Sequence, residues 1–287
     1  MRLGDEDPSG NFFDRTGQRG MGFGGGGGNL LGCLLPLVAS RFGIVGVLVL
    51  LLGYCALTSL GGGGLLTGGG TSTTAPSGQS TLDPNTRDLL ARVLGSTERR
   101  WSEIFTRAGA TYQPAKMIAY SNYDQSGCGA AQAAMGPFYC PTDQSIYIDP
   151  QFFSELSQRF GAPGDFAMAY VIAHEVGHHV QNLQGTLDRA QQAQARAGRT
   201  EGNQIQVAVE LQADCYAGVW AARDQNLLEP GDIEEGMRAA EAIGDDTLQK
   251  QMQGRVVPES FTHGSAAQRQ AALRRGLETG DPAACQF

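Results

Sequence analysis

Apolar positions along the 287-residue chain change their period several times, and each change marks an element. From Leu82 to about Phe105 they recur at helical spacing, with Leu89, Leu90, Val93, Leu94 and Trp101 on one side. Ala115–Tyr120 and Ser145–Ile148 predict two short strands, the second alternating as a half-buried strand does. Between them runs a loop containing glycine and cysteine. Helical spacing returns from Phe166 to Gln181, after the start signal Ala162-Pro163-Gly164-Asp165, in which Asp165 is the expected N-cap. A further helix is predicted over Gln204 to Asp224, with Val207, Leu211, Tyr216 and Trp220 apolar. Asp232–Ala242 and Ser265–Leu277 complete the helical set. The pattern describes one α+β domain over residues 82–287, mainly helical with a small sheet, and long enough to bury a substantial core.

The first eighty residues follow a different rule. Residues 1–29 are glycine-rich, with five consecutive glycines at Gly24–Gly28, and predict a disordered tail. Residues 30–60 hold an uncharged, mostly apolar run whose 18 residues from Gly43 to Leu60 predict a membrane-spanning helix. At 1.5 Å per residue such a helix covers about 27 Å, close to the hydrocarbon thickness of a bilayer. Residues 61–81 are a Gly/Ser/Thr linker. Arg19 and Arg41 precede the run, and no basic residue follows until Arg87. Basic residues stay on the cytoplasmic side, so the expected topology is single-pass, with a cytoplasmic N-terminus and an extracytoplasmic domain.

Within the Phe166–Gln181 helix, Ala167, Val171, His174 and His178 lie at i, i+4, i+7 and i+11. The two histidines therefore continue an apolar face, one turn apart, and both imidazoles reach one point. They belong to His174-Glu175-Val176-Gly177-His178, an H-E-x-x-H motif: two neutral nitrogen ligands for zinc, with Glu175 between them to act on water. Gly177 costs a helix about 1 kcal/mol relative to alanine. Its presence is explained if a second helix must approach closely there. His179 points about 100° away on the helical wheel and is expected at the surface or in support of the site rather than among the ligands.

A catalytic zinc takes three protein ligands and leaves a position for water. Glu210 is the candidate third ligand. Asp214, one turn further on the same face, is the candidate acceptor for the Nδ1–H of His174, fixing the ring's tautomer. His263, beside Gly264, is the candidate donor to the carbonyl oxygen that gains charge, with Tyr216 and Tyr147 as weaker alternatives.

These motifs, H-E-x-x-H followed by E-x-x-x-D, resemble the gluzincin plan of zinc peptidases. More narrowly the chain resembles the bacterial family of putative neutral zinc metallopeptidases. The matching segments are Tyr170–Gln181 (YVIAHEVGHHVQ), Glu210–Ala221 (ELQADCYAGVWA) and Ser260–Arg269 (SFTHGSAAQR), with Gly136–Pro141 and Ile146–Asp149 also similar. The resemblance covers residues 82–287. It implies a minimal gluzincin-like fold in which an edge strand, here within Gly136 to Ile148, lies above the active helix and pairs with an extended peptide. It also implies one zinc ion and a peptide or protein substrate in a bacterium, and the apolar run places the anchored chain in the cell membrane.

Four cysteines fall in the expected extracytoplasmic part: Cys128, Cys140, Cys215 and Cys285. They allow three disulfide connectivities. Cys128–Cys140 and Cys215–Cys285 are favoured, the first closing a short loop and the second pinning the C-terminus to the Glu210 helix. The formal charge of −8, with no basic cluster, excludes nucleic acid as a partner. The sequence-based function is a membrane-anchored zinc metallopeptidase with Glu175 as general base. Its rival is a non-catalytic, membrane-tethered scaffold that uses zinc to hold its fold or a partner.

Overall fold

The computed structural model describes residues 1–4, 6–18 and 80–287. Strand β1 (Phe12–Asp14) comes first, then the long helix α1 (Pro84–Arg107). Strands β2 (Lys116–Ala119), β3 (Tyr123–Ser126), β4 (Gly129–Gln132), β5 (Phe138–Cys140) and β6 (Ser145–Ile148) follow. The remainder is helical: α2 (Gln151–Gln158), α3 (Asp165–Leu183), α4 (Thr186–Gln194), α5 (Arg199–Arg223), α6 (Asp232–Ala242), α7 (Asp245–Gln253) and α8 (Ala266–Thr279).

Four strands form a mixed sheet in the order β1-β2-β6-β5. The first two pairings are parallel, and β5 runs antiparallel to β6 at the outer edge. Strands β3 and β4 make a separate hairpin whose tip is tied to β5 by the Cys128–Cys140 disulfide. Every residue of β6 is buried, so it is an interior strand and not the half-buried one its alternation predicts. The core lies between the sheet and the helices. Trp101 of α1 packs edge-on against Tyr216 of α5 at 5.2 Å, and Phe166 of α3 stacks on Trp220. Cys215–Cys285 fastens the C-terminal segment to α5.

Two expectations fail together. Among the described residues no helix is long and apolar enough to cross a membrane. The expected span at 43–60 lies outside the described residues. The single-pass topology is overturned by a geometric finding as well: residues before and after that run share one sheet. Phe12, Phe13 and Asp14 pair in register with Met117, Ile118 and Ala119. A chain end that completes the domain's own sheet cannot lie across a bilayer from it. The disordered tail is likewise corrected for residues 6–18. Ser9 Oγ and Asn11 Nδ2 both donate to Glu98 of α1, at 2.7 and 2.8 Å, and Phe12 packs against the core. A three-residue strand within a glycine-rich stretch is too short to register in composition. The two ends that flank residues 19–79 sit side by side: Thr81 N donates to Thr16 Oγ1 at 3.1 Å, and Thr81 Oγ1 to Thr16 O at 3.3 Å.

Candidate metal centre

Helix α3 is buried along most of its length, including His174 and Glu175. It begins one residue earlier than expected: Gly164 is the N-cap and Asp165 the first helical residue, where its charge suits the helix dipole. Helix α5 crosses it at Gly177. A methyl group on Gly177 would sit 2.9 Å from the Ala213 carbonyl oxygen and 3.0 Å from its Cα. The absence of a side chain at that one position lets the two backbones meet, and the contact carries Glu210 and Asp214 to the histidines.

The structure brings His174, His178 and Glu210 together, each offering one ligand atom, all within 4.8 Å of one another. Glu210 Oε2 lies 3.2 Å from His174 Nε2 and 3.5 Å from His178 Nε2. The far nitrogens are both pinned. His174 Nδ1 donates to Asp214 Oδ1 at 2.8 Å, and His178 Nδ1 to Gln181 Oε1 at 2.9 Å. With the proton held on Nδ1, each Nε2 presents its lone pair to the common point, as a metal ligand must. Burial alone would raise the Glu210 carboxyl, but the two imidazoles, when protonated, outweigh it and hold it well below its usual range.

Several supporting residues escaped the sequence reading. Tyr170 lies one turn before His174 and donates its hydroxyl to Asp214 Oδ1 at 2.6 Å. The spacing 170, 174, 178 extends the face that carries the histidines, so the same periodicity could have found it. Gln181 is wholly buried and stands three residues after His178, on its face. Gln206 donates to Glu210 Oε1 at 2.9 Å and is itself hydrogen-bonded to Gln194 at 3.0 Å. Arg269, only 2% exposed, places Nε and Nη2 each 2.8 Å from an oxygen of Asp214. Burial would raise the Asp214 carboxyl, yet Arg269 and His174 hold it down to about 2.

Glu175 is 6% exposed, and its Oε2 has no hydrogen-bond partner within the protein. Burial pushes its carboxyl above the usual range, against the pull of both imidazoles. His263 lies on a loop at the mouth of the same cleft, its side chain half exposed. Asp245 at the start of α7 organises that loop: the amides of Thr262, His263 and Gly264 all donate to its Oδ2, at 2.7, 2.6 and 3.1 Å. The alternatives are elsewhere, Tyr216 donating to Gln184 and Tyr147 to Asp143, and neither lines the cleft. His179 is outside the ligand cluster, as expected, but of its two expected places the surface one is corrected, since it is wholly buried. Its Nε2 donates to the Gln113 carbonyl at 2.6 Å, which leaves Nδ1 to accept from the Tyr139 hydroxyl of β5 at 3.0 Å. His179 thus anchors the outer strand of the sheet over α3.

The donor chemistry fits zinc on two counts. Two imidazole nitrogens and one carboxylate are a three-ligand set that leaves room for water. The orphaned oxygen of Glu175 is a buried acceptor with nothing in the protein to donate to it, a state that a bound water relieves. Such a set, two histidines on α3 and a glutamate on α5, is a candidate zinc site of the H-E-x-x-H type. The chain belongs to the putative neutral zinc metallopeptidase family, whose model matches residues 1–287. It is 52% identical over 195 residues to the Escherichia coli (strain K12) protein called uncharacterized protein YpfJ, covering 67% of this chain and 68% of that one. It is 48% identical over 188 residues to uncharacterized protein Rv2575 of Mycobacterium tuberculosis (strain H37Rv), covering 61% and 62%. No solved structure matches the chain.

Proposed function

We propose that the domain hydrolyses peptide bonds with one zinc ion held by His174, His178 and Glu210. Zinc bound there would supply a Lewis acid that polarises the scissile carbonyl and acidifies a water molecule. Glu175 takes the proton of the attacking water and delivers it to the leaving amine. A carboxyl raised by burial is closer to neutral pH, where exchange in both directions is efficient. His263 donates to the carbonyl oxygen as charge develops on it, and Asp245 positions the loop that carries it. Asp214, with Arg269 and Tyr170 behind it, keeps the His174 ring in one orientation. The end strand β5 borders the cleft, and its outer edge, which pairs with no strand among the described residues, is offered to an extended substrate.

The observation that carries this reading is Glu175: a buried carboxylate oxygen with no partner, beside three convergent ligand atoms. A purely structural zinc site has no use for it. The two disulfides suit maturation in an oxidising compartment. The test is Glu175→Gln. The variant should keep its zinc by elemental analysis and lose peptide cleavage by about a hundredfold or more. Cleavage at the parental rate with zinc retained would end the proposal.

A further inference from the structure

The cleft of about 570 Å³ has walls of different chemistry. On one side stand Met135, Phe138 and Phe152, from the turn before β5, from β5 itself and from α2. Met135 is 60% exposed, an apolar side chain left in water at the rim. On the other side α4 and α5 present the neutral amides of Gln191, Gln194 and Gln206.

The charges of the lining are unevenly matched. Glu175, Glu210, Asp188 and Arg269 carry them, apart from the histidines. Arg269 is committed to Asp214 through two 2.8 Å hydrogen bonds and is buried. The first two carboxylates would be balanced by a divalent ion. Asp188, exposed in the first turn of α4 and in no ion pair among the described residues, is the charge left over. A carboxylate brought into this cleft loses its water and finds no lysine and no uncommitted arginine among the lining residues, while His263 already faces Asp245 at 3.4 Å, which costs it binding. An exopeptidase that recognises the C-terminus needs just such a cation.

Resting on the peptidase reading above, we propose that the cleft selects an uncharged interior stretch of an extended polypeptide. An aromatic or long aliphatic side chain next to the scissile bond seats against Met135, Phe138 and Phe152. Acidic side chains and free C-terminal carboxylates are rejected. The wall recognises the side chain by apolar burial, the edge of β5 recognises the backbone, and Asp188 repels the anion.

The experiment uses the zinc-loaded full chain, its Glu175→Gln variant and its Asp188→Lys variant. Each is incubated with decapeptides identical but for one varied central residue, with ends either free or blocked by acetyl and amide groups. Cut positions and rates are read by mass spectrometry. The parent should cut internal bonds, as fast with blocked ends as with free ones. It should prefer Phe, Leu or Met over Asp or Glu at the varied position by at least about tenfold. Asp188→Lys should narrow that discrimination. Equal rates for acidic and apolar peptides, a need for a free C-terminus, or discrimination unchanged in Asp188→Lys would overturn the substrate class while leaving a peptidase. Cleavage by no protein, or equally by parent and Glu175→Gln, would remove the peptidase reading and the substrate class with it.

Discussion

Replacing Gly177 with alanine sets two known effects against each other at the metal centre. Alanine favours the helical state by about 1 kcal/mol. On an exposed helix that gain would be the whole result. Here the new methyl group would meet the α5 backbone 2.9 Å from Ala213 O and 3.0 Å from Ala213 Cα. Ordinary contact begins near 3.4 Å, so the helices must part by roughly half an ångström. Backbone cannot turn aside as a side chain can, and overpacking of this kind costs about 1–3 kcal/mol. The expected net effect on the metal-free protein is between nothing and about 2 kcal/mol of destabilisation.

The consequence for zinc is larger, because the ligands sit on the two helices that separate. Ala213 adjoins Asp214 and follows Glu210 by three residues, while Gly177 adjoins His178. Zinc–ligand distances tolerate about 0.2 Å, less than half of the required shift. Affinity should fall about 10–100-fold. Thermal unfolding of the metal-free protein and competition with a chromogenic chelator measure the two effects separately. A variant stabilised by the full helix-propensity gain, with zinc affinity within twofold of the parent, would refute the close approach of α3 and α5.

Asp214→Asn should destabilise the protein by about 3–5 kcal/mol, since it leaves the Arg269 charge buried without its counter-charge, and denaturant unfolding of the metal-free form checks it. Little change would mean that Arg269 is hydrated and not committed to Asp214. For Asp245, burial alone would raise the carboxyl, but hydrogen bonds from His263 and from the loop amides hold it below its usual value. A carboxyl depressed in the folded state contributes stability above its unfolded value near 3.9 and loses it as pH falls through the folded value. The stability difference between parent and Asp245→Asn should therefore be about 1–3 kcal/mol at neutral pH and shrink below pH 4. A difference constant from pH 7 to pH 3 would contradict this account.

How much of this was legible in the sequence depended on whether a residue's role left a periodic trace. His174, His178, Glu210 and Asp214 lie at one-turn spacings on two apolar helices, and the fold brings them together as that spacing implies. Gly177 was legible for a different reason, as a costly residue that only a close neighbour explains, and Ala213 is that neighbour. Both disulfides form between the favoured partners. Helix α4 buries none of its residues, so it has no apolar stripe to betray it, although its side chains wall the cleft. Arg269 and Asp245 work through partners far along the chain, Asp214 and residues 262–264, and neither distance is written in any local pattern. For His179 the helical wheel excluded a ligand role but left the surface open, because it distinguishes directions and not what waits in them. A second buried surface, formed by Tyr112 and Tyr139, covers the side turned away from the ligands.

The seam at Thr16 and Thr81 has a practical meaning for anyone expressing this protein in parts. The apparent linker at 61–81 invites a cut there, giving a fragment that begins at residue 82. That fragment would lack β1, and β2 would face solvent with a row of unclaimed amides and carbonyls. An open strand of that kind recruits the same strand from other molecules, so the shortened protein should precipitate for reasons unrelated to its chemistry. A short turn joining Thr16 to Ser80 would instead keep the domain's boundary closed, because the fold has already brought the two ends to the same place.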